Sequence, residues 1–373
     1  MSTTTAALKI NNEKKVLKYI YRHKQATSLL LQKELSLSRP TVAQILREFT
    51  QSGQIYTRGL ADSTGGRKAN LYEYNPMLKL SIGVELMIDR FEIAAIDLYG
   101  EMLRFERQTL PYSNDCEYFD ELCSKINHFI DSLGFQSEQI LGVGIALQAL
   151  ISADGRKIIY GKILDCTGLT IETFSDRIPY PCAFSHDAEA MANVELWFDP
   201  FLQNVIYLNI RSDLSGSIII DRKFFQDGAY KSGIFEHMNM VPNGRPCYCG
   251  KKGCVNAYCA LSALLKPQED ITNFFLALRK GNASYEKRWK KYLNYLATAI
   301  DDFHMIINSN VILAGTLSKY LISEDIDYLH TIIQEKTAFP TSEKYISISN
   351  FSNLPACIGA AIPFVKEYLS SIM

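Results

Sequence analysis

Apolar residues recur at helical spacing near the start of the chain and predict two helices there. The first helix is expected from about residue 12, with Asn11 or Asn12 as its N-cap. The second is expected to begin at Thr27 or Ser28, because both residue types cap helices well. The spacing predicts that the buried residues are Val16, Leu17, Ile20, Tyr21, Leu29, Leu30 and Leu35.

A third helix is predicted directly after a turn at residues 35–37. Ser38 can cap it, and Pro40 falls in its first turn, where a missing N–H is tolerated. The residues of its apolar face are Val42, Ile45, Leu46 and Phe49. A short turn before this helix indicates a helix-turn-helix, and its outward residues are of types that hydrogen-bond base edges and phosphates. The predicted DNA contacts in this segment are Ser38, Arg39, Thr41, Gln44 and Arg47.

Two strands, Gln54–Arg58 and Leu71–Tyr74, are predicted to follow, with the loop Gly59–Asn70 between them. Two glycines in this loop permit backbone conformations that other residues avoid, and the basic residues after them can enter a groove or contact phosphate. We therefore predict a winged helix-turn-helix; the alternative is a helical dimerisation or protein-binding module. The wing residues expected to contact DNA are Arg58, Arg67 and Lys68.

Beyond Asn75-Pro76 the pattern changes and predicts an α/β body. Three strands, a helix and a fourth strand are expected between residues 80 and 146, and a similar series begins at residue 205. A β-β-β-α-β order that occurs twice favours two related lobes with a cleft between them, inferred from element order because we find no literal repeat. The expected domains are residues 1–76 for the head, 77–190 for the first lobe and 191–373 for the second lobe.

Charge divides the chain at the same place. Residues 1–75 contain 12 Lys and Arg against 5 Asp and Glu, a formal charge of +7, whereas the remainder carries −8. A basic head attracts phosphates and releases counterions, while an acidic body does not bind nucleic acid unspecifically. A chain of 373 residues that is 47% hydrophobic is expected to form two or three globular domains. No apolar run reaches the ~20 residues of a membrane helix, so we expect a cytoplasmic protein without membrane contact.

The nine cysteines include one tight group in the second lobe. Cys247, Cys249 and Cys254 follow His237, and two glycines between the second and third cysteine let the short loop fold inward. Three thiolates and an imidazole make a tetrahedral Zn²⁺ set, and a closed four-ligand site is structural. The alternative is a chance group of buried free cysteines.

Together these residues resemble the ROK family of repressors, open reading frames and sugar kinases over essentially the whole chain. Residues 37–42 (Leu-Ser-Arg-Pro-Thr-Val) look like the family's recognition helix, and residues 63–67 (Ser-Thr-Gly-Gly-Arg) look like its wing. His237 with the Cys-x-Cys-Gly-x-x-Gly-Cys pattern is similar to its zinc motif. The head places the chain nearest to the family's sugar-responsive repressors. The resemblance implies an actin-like, hexokinase-type pair of lobes that assembles as a homodimer or homotetramer.

The chain departs from the family's kinases on the nucleotide side. Those kinases have a Gly-rich phosphate loop after an Asp, where this chain has Gly-Val-Glu-Leu-Met-Ile at residues 83–88. A second glycine-rich loop is matched by Arg-Ser-Asp-Leu-Ser-Gly-Ser at residues 211–217, where Asp213 would repel a polyphosphate. We therefore expect no ATP binding.

The sugar side of the resemblance is altered as well. The family's Asn-Asp pair, whose Asp is the kinases' general base, is matched by His186-Asp187, so Asp187 is a vestigial base candidate. Its alternative role is a helix N-cap. Two sugar-contacting glutamates become Ile234 and Asn256, whereas Glu236 replaces a glycine. The candidate ligand-binding residues are His186, Asp187, Glu236 and Asn256, and the implied effector is a sugar or sugar derivative.

Three functions remain in competition. The leading hypothesis is a transcriptional regulator, a repressor of carbohydrate-related genes, that binds a double-stranded DNA operator as a symmetric oligomer. The second is an ATP-dependent sugar kinase with an appended DNA-binding head. The third is a scaffold whose body only oligomerises the head. The altered phosphate loops favour the first hypothesis, in which no residue is catalytic.

Overall fold

The N-terminal residues form a small head, and the structure, a computed structural model, describes residues 5–60, 69–225 and 234–373. The elements of the head are α1 (Thr5–His23), β1 (Gln25–Thr27), α2 (Ser28–Leu35), α3 (Arg39–Gln51), β2 (Ile55–Leu60) and β3 (Asn70–Tyr74). Thr27 caps α2 and Ser38 caps α3, as predicted, because each side-chain oxygen accepts a backbone N–H of the first turn. The three strands form one antiparallel sheet in the order β1-β3-β2.

The first two helices differ from the prediction in extent and in burial. Helix α1 begins at Thr5, ahead of the predicted caps. The predicted burial of Leu29 and Leu30 is wrong, since their side chains are 72% and 37% exposed. Helix α2 begins directly after its cap Thr27, and the face of this short helix that points inward is the one that carries Leu31. Leu35 lies on the same face because it is four residues further along the helix. Strand β1 was not predicted, because three residues are too few to show a period.

The body contains two five-stranded mixed sheets. The chain first forms β4 (Leu80–Leu86), β5 (Arg90–Ile96), β6 (Met102–Thr109), α4 (Cys116–Asp131), β7 (Ile140–Leu147), β8 (Leu150–Ile151), β9 (Ile158–Tyr160), α5 (Glu172–Ser175), β10 (Cys182–His186) and α6 (Asp187–Phe198). It continues with β11 (Val205–Ile210), β12 (Leu214–Ile220), β13 (Lys223–Phe224), α7 (Asn256–Cys259), α8 (Leu261–Leu264), α9 (Ile271–Arg279), α10 (Ala283–Ile306), β14 (Asn310–Ala314), α11 (Ser323–Lys336), β15 (Ile346–Ile348) and α12 (Ala356–Ile372). Among the helices of the described ranges, none is both long enough and apolar enough to span a bilayer.

The two sheets have the same topology. Their strand orders are β10-β7-β4-β5-β6 and β13-β12-β11-β14-β15. In each sheet the first three strands pair antiparallel in sequence order. The fourth strand pairs in parallel with the first strand, and the fifth pairs in parallel with the fourth. The predicted α/β fold, a helical head followed by a two-lobed body, is confirmed.

The C-terminal helix α12 packs on the first sheet, although it lies in the range assigned to the second lobe. It contacts β4, β7 and α6. The Ser81 hydroxyl donates to the carbonyl oxygen of Ala361 at 2.8 Å. Gly359 lies so close to the carbonyl of Ala190 that a side chain at this position would collide with it. The division of the body at residue 190 remains a prediction, and α12 belongs spatially with α6 and the first sheet.

One hydrophobic cluster joins the head to the body. Val16 and Ile45 of the head are buried in the same cluster as Leu98 of the first lobe and Leu369 of α12. The Lys14 ammonium also donates to the carbonyl oxygen of Ser371 at 3.2 Å. The head therefore packs directly against the first sheet and α12.

Candidate functional site

Helix α3 presents a polar face on the surface of the head. Arg39, Gln44 and Arg47 are exposed along it, and Thr41 is half-buried at its first turn. The opposite face of the helix is buried and consists of Val42, Ile45, Leu46 and Phe49. The predicted DNA-contacting residues of α3 therefore lie together on one accessible surface.

Some polar side chains on this face already form hydrogen bonds within the head, and others do not. The Ser38 and Thr41 hydroxyls lie 2.8 Å apart and hydrogen-bond each other. Gln44 donates its amide to Glu48 at 3.0 Å. Arg39 and Arg47 have no hydrogen bond or ion pair with any residue in the described part of the chain. These two guanidinium groups are available to an external acceptor.

The wing is only partly described. Arg58 is 71% exposed on β2, and its Nη1 donates to both carboxylate oxygens of the buried Glu73 at 3.2 and 3.3 Å. This bond orients Arg58 along the wing sheet. Arg67 and Lys68, the other predicted wing contacts, lie outside the described residues.

Asp187 is the first residue of α6, where this helix meets the second lobe. His186 is the N-cap, because its Nδ1 accepts the N–H of Ala188 at 3.2 Å, so the alternative role of Asp187 as an N-cap is wrong. The buried Asp187 accepts hydrogen bonds at Oδ2 from Asn209 Nδ2 at 3.0 Å and from Ser215 Oγ at 3.1 Å. Its Oδ1 is buried without a hydrogen-bond partner among the described residues. A ligand hydroxyl could donate to that oxygen.

Two cavities of about 200 Å³ each lie between the lobes and share Gln148 in their linings. His186 and Glu236 line the first, and Asp187 lines the second together with Arg211. The structure thus divides the candidate ligand-binding residues between two adjoining spaces. The side-chain amide of Gln148 also donates to the carbonyl oxygen of Leu214 at 3.3 Å, which ties the two lobes together at this point.

Asn256 lines neither of these cavities. Its Oδ1 accepts the N–H of Leu214 at 2.7 Å, and its Nδ2 donates to Asp213 Oδ1 at 3.0 Å. Through these two hydrogen bonds Asn256 fixes the loop between β11 and β12. A direct role in ligand binding would require this buried side chain to leave both partners.

Glu236 is a buried carboxyl in the lining of the first cavity. Its Oε2 has no hydrogen-bond partner within the described ranges, and burial raises the pKa of this carboxyl to about 8. A carboxyl with a raised pKa keeps its proton to a higher pH than usual, and in that form it can donate a hydrogen bond. A protonated carboxyl at this position suits a neutral ligand oxygen.

An ion pair joins the two lobes across the cleft. Arg211, directly after β11, pairs with Glu85 near the end of β4, and its Nη2 also contacts Met87 Sδ at 3.4 Å. The Glu85 carboxylate raises the pKa of Arg211 above its ordinary value. The pair therefore connects the end of β4 in the first lobe with the residue after β11 in the second lobe.

The four predicted metal ligands converge in the second lobe. The donor atoms of His237, Cys247, Cys249 and Cys254 all lie within 4.8 Å of one another. Cys249 Sγ lies 3.7 Å from Cys254 Sγ, and Cys247 Sγ lies 3.7 Å from His237 Nδ1. Two sulfurs that each bind Zn²⁺ at about 2.3 Å in a tetrahedron are about 3.8 Å apart, so the donor set fits this ion.

The tight loop around the cluster depends on Gly253. Its φ of +85° is in the left-handed region, and a side chain there would collide with the carbonyl oxygen of Val241. The N–H of Gly253 donates to Arg245 O at 2.8 Å, which closes the loop. The metal cluster and the first cavity share His237 and Cys249, so the cluster also supports the wall of the cleft.

The sequence reasoning did not identify two lysines in the lining of the first cavity. Lys162 follows β9 in the first lobe, and Lys251 lies inside the zinc-motif loop of the second lobe. No local pattern marks them, because they meet only when the two lobes face each other. The pairing of Glu85 with Arg211 also went unpredicted for this reason.

The sequence of the chain is similar to that of known proteins. The profile of the ROK family matches residues 81–365. The xylose repressor of Bacillus spizizenii is 25% identical over 258 residues, which cover 68% of this chain and 67% of the repressor. The DNA-binding transcriptional dual regulator NagC of Escherichia coli is 24% identical over 257 residues, which cover 68% of this chain and 63% of NagC.

Solved structures share the fold as well. A ROK family transcriptional regulator, a homolog of the E. coli MLC protein, superimposes with a TM-score of 0.74 at 18% identity and covers 98% of both chains. A ROK family glucokinase from Streptomyces griseus superimposes with a TM-score of 0.67 at 18% identity and covers 76% of this chain and 98% of its own. The likeness to the regulator thus includes the head.

Proposed function

This chain belongs to the ROK family, and we propose that it is a DNA-binding transcriptional regulator, a repressor of carbohydrate-related genes without kinase activity. The proposal depends on the presence of the N-terminal head. The likeness to the regulator covers 98% of this chain, whereas the likeness to the glucokinase covers 76%. What distinguishes this chain from that glucokinase is therefore the head, whose helix α3 carries Arg39 and Arg47 without a partner among the described residues.

The head is proposed to place α3 in the major groove of an operator. Arg39 and Arg47 have no partner within the described ranges and are of the type that binds guanine edges or phosphates. The formal charge of +7 on residues 1–75 supplies the attraction to the duplex. A homodimer or homotetramer would present two heads to two half-sites, which predicts a pseudo-palindromic operator.

The cleft is proposed to bind a sugar or sugar derivative as effector. His186 and Glu236 line one cavity. The Oδ1 of Asp187, which accepts no hydrogen bond from the described residues, is buried beside the other. Such an effector changes DNA affinity only as far as it binds the DNA-bound and the DNA-free conformations with different affinity. Xylose and N-acetylglucosamine are the first compounds to test, because repressors named after them resemble this chain.

Phosphoryl transfer is not part of the proposal. Arg211 and Glu85 neutralise each other across the cleft at the place of the two phosphate loops. Asp213 adds a negative charge to the same cavity. A nucleotide polyphosphate would have to separate the ion pair and approach that carboxylate, and both steps are unfavourable.

Zn²⁺ is proposed as the structural ion of the four-residue cluster. His237, Cys247, Cys249 and Cys254 would use all four positions of a tetrahedral ion, so no position remains for a substrate. An ion bound there would cross-link the loop that lies against the first cavity.

Selection from a random duplex library tests the DNA-binding proposal. The full chain should enrich a pseudo-palindromic sequence, and fluorescence anisotropy with the enriched duplex should show binding that weakens steeply with salt. A variant with both Arg39 and Arg47 changed to Ala should lose most of this affinity, whereas a variant with Lys290 and Lys291 of α10 changed to Ala should retain it. No enrichment and no binding at low ionic strength would contradict the proposal.

Two assays separate the regulator from its competitors. Incubation with Mg·ATP and the two sugars should yield no sugar phosphate, and a measurable turnover would identify a kinase instead. Thermal denaturation with the same sugars should show a stabilising ligand, since a ligand that binds only the native state raises its stability. A scaffold that only oligomerises the head would bind DNA with the same affinity whether or not a ligand is present.

A further inference from the structure

Helix α6 connects the cleft with the head of the molecule. It begins at Asp187, which is bonded to Asn209 and Ser215 of the second lobe, and its last turn carries Trp197. Its 12 residues correspond to about 18 Å of helix. Close packing of Gly359 in α12 against Ala190 leaves no space between the two helices. A displacement at one end of α6 is therefore carried to the other end by a packed element.

The far end of α6 contacts the turn at residues 98–100. Trp197 Nε1 donates to the carbonyl oxygen of Tyr99 at 2.6 Å. Gly100 has a φ of +81°, and a side chain at this position would collide with the Trp197 indole. The turn and the indole therefore fit together only because residue 100 has no side chain.

The same turn contacts the head from its other side. The rings of Tyr99 and Tyr21 stack with centroids 4.7 Å apart and planes at 19°. The Tyr21 hydroxyl donates to the carbonyl oxygen of Leu98 at 2.7 Å, and the Tyr99 hydroxyl donates to the carbonyl oxygen of Tyr21 at 3.2 Å. The Lys24 ammonium lies 3.5 Å from the centroid of the Tyr99 ring, within the range of a cation–π contact.

We infer that the turn Leu98–Gly100 is a joint through which α6 sets the orientation of the DNA-binding head. Tyr21 and Lys24 lie at the end of α1 and just before β1, so a shift of the turn rotates the head at the point where its chain turns toward α2 and α3. Tyr99 is the central residue of the joint, because its carbonyl oxygen accepts the hydrogen bond from α6 and its ring stacks on Tyr21 of the head. The inference rests on the proposed function, in which the state of the cleft alters DNA binding.

Hydrogen exchange of the full-length protein tests the joint without DNA. The Asp187→Ala variant loses both acceptor bonds to the second lobe and should change amide exchange in residues 18–27 at least threefold. Trp197→Phe removes the indole donor, so the same Asp187→Ala change should then leave residues 18–27 unaffected. Trp289→Phe is the matched control, because the indole of this second tryptophan donates to Asp325 in the second lobe, and it should leave the response intact.

The outcomes separate the joint from the proposed function. Equal responses of residues 18–27 in the Trp197→Phe and Trp289→Phe backgrounds, or no response to Asp187→Ala, would overturn the joint. If Trp197→Phe does not fold, as judged by circular dichroism, Gly100→Ala replaces it, since its side chain displaces the indole. Anisotropy with the selected duplex is measured in parallel: a chain that binds no duplex refutes the proposed function, whereas the exchange data still decide whether the joint exists.

Discussion

Arg211 and Glu85 form an ion pair that joins the two lobes across the cleft. The two residues are 126 positions apart in the chain. Glu85 lies near the end of β4 and Arg211 directly follows β11, and these are the first strands of the two sheets. Because the two sheets have the same topology, the ends of these two strands occupy equivalent places in the two lobes. The pair holds the two lobes together at this point of the cleft.

Replacing Glu85 with Gln should destabilise the protein by about 3 kcal/mol, because Arg211 would keep its charge in a mostly buried place without a counter-charge. Urea unfolding at pH 7 measures this loss. Lys344→Ala removes one partner of an exposed ion pair with Asp327 and should cost much less stability, because solvent screens this pair. An equally small loss for Glu85→Gln would mean that the interlobe pair is solvated and does not hold the cleft.

Replacing Cys249 with Ser should release the metal ion, since a hydroxyl is a much poorer Zn²⁺ ligand than a thiolate. Metal analysis of the purified protein should give about one Zn²⁺ per chain before the change and much less after it. The exposed Cys116→Ser is the matched control and should keep the metal. Equal zinc content in both variants would rule out the proposed ligand set.

Replacing Arg47 with Ala should weaken binding of the selected duplex about tenfold, as expected for one lost contact to a base edge or phosphate. Anisotropy titrations at two salt concentrations measure the affinity and its salt dependence. Arg156→Ala removes an exposed arginine of the first lobe that pairs with Glu172 and should leave the affinity unchanged. Undiminished affinity of the Arg47 variant would mean that this part of α3 does not face the DNA.

Replacing Glu195 with Gln should flatten the pH dependence of stability. Burial raises the pKa of Glu195 to about 7, although the Ser349 hydroxyl donates to its carboxylate and opposes this rise. In the unfolded chain a glutamate titrates near pH 4.3, so between about pH 4.3 and 7 the native state binds more protons and loses stability as pH rises. Above about pH 7 this loss is complete.

The free energy of unfolding should therefore fall between pH 5 and pH 8 by roughly 2 to 3 kcal/mol more in the unchanged protein than in the Glu195→Gln variant. Urea unfolding at several pH values measures the difference. Glu335→Gln changes an exposed side chain of α11 and should reproduce the unchanged protein. Parallel pH profiles for all three proteins would show that the Glu195 carboxyl is solvated.

The head illustrates what can be predicted from neighbouring residues. Ser38 caps α3, Pro40 lies in its first turn, and the apolar positions recur every three or four residues. Each of these features involves residues within one or two helical turns, so it can be predicted without knowing the rest of the fold. Leu29 and Leu30 show the limit, because their exposure depends on which stripe of α2 meets the other helices.

The metal cluster could be predicted for a similar reason. Its ligands lie within residues 237–254, and their side-chain types restrict the chemistry to a few ions. The cleft is different. Asp187 and Glu236 were both predicted to bind the ligand, and the structure places them beside two adjoining cavities. It also places Lys162 and Lys251, from opposite lobes, in the lining of one cavity.

The sequence by itself determined the caps of α2 and α3, the group of one histidine and three cysteines in the second lobe, and the order of a helical head before a two-lobed body, because each depends on residues close together in the chain. Only the tertiary structure decided that Arg211 meets Glu85, that α12 packs on the first sheet, and that Trp197 and Tyr21 contact the same turn. These contacts join residues far apart in sequence. Their existence depends on how the two sheets and the head pack against one another, which no local periodicity encodes.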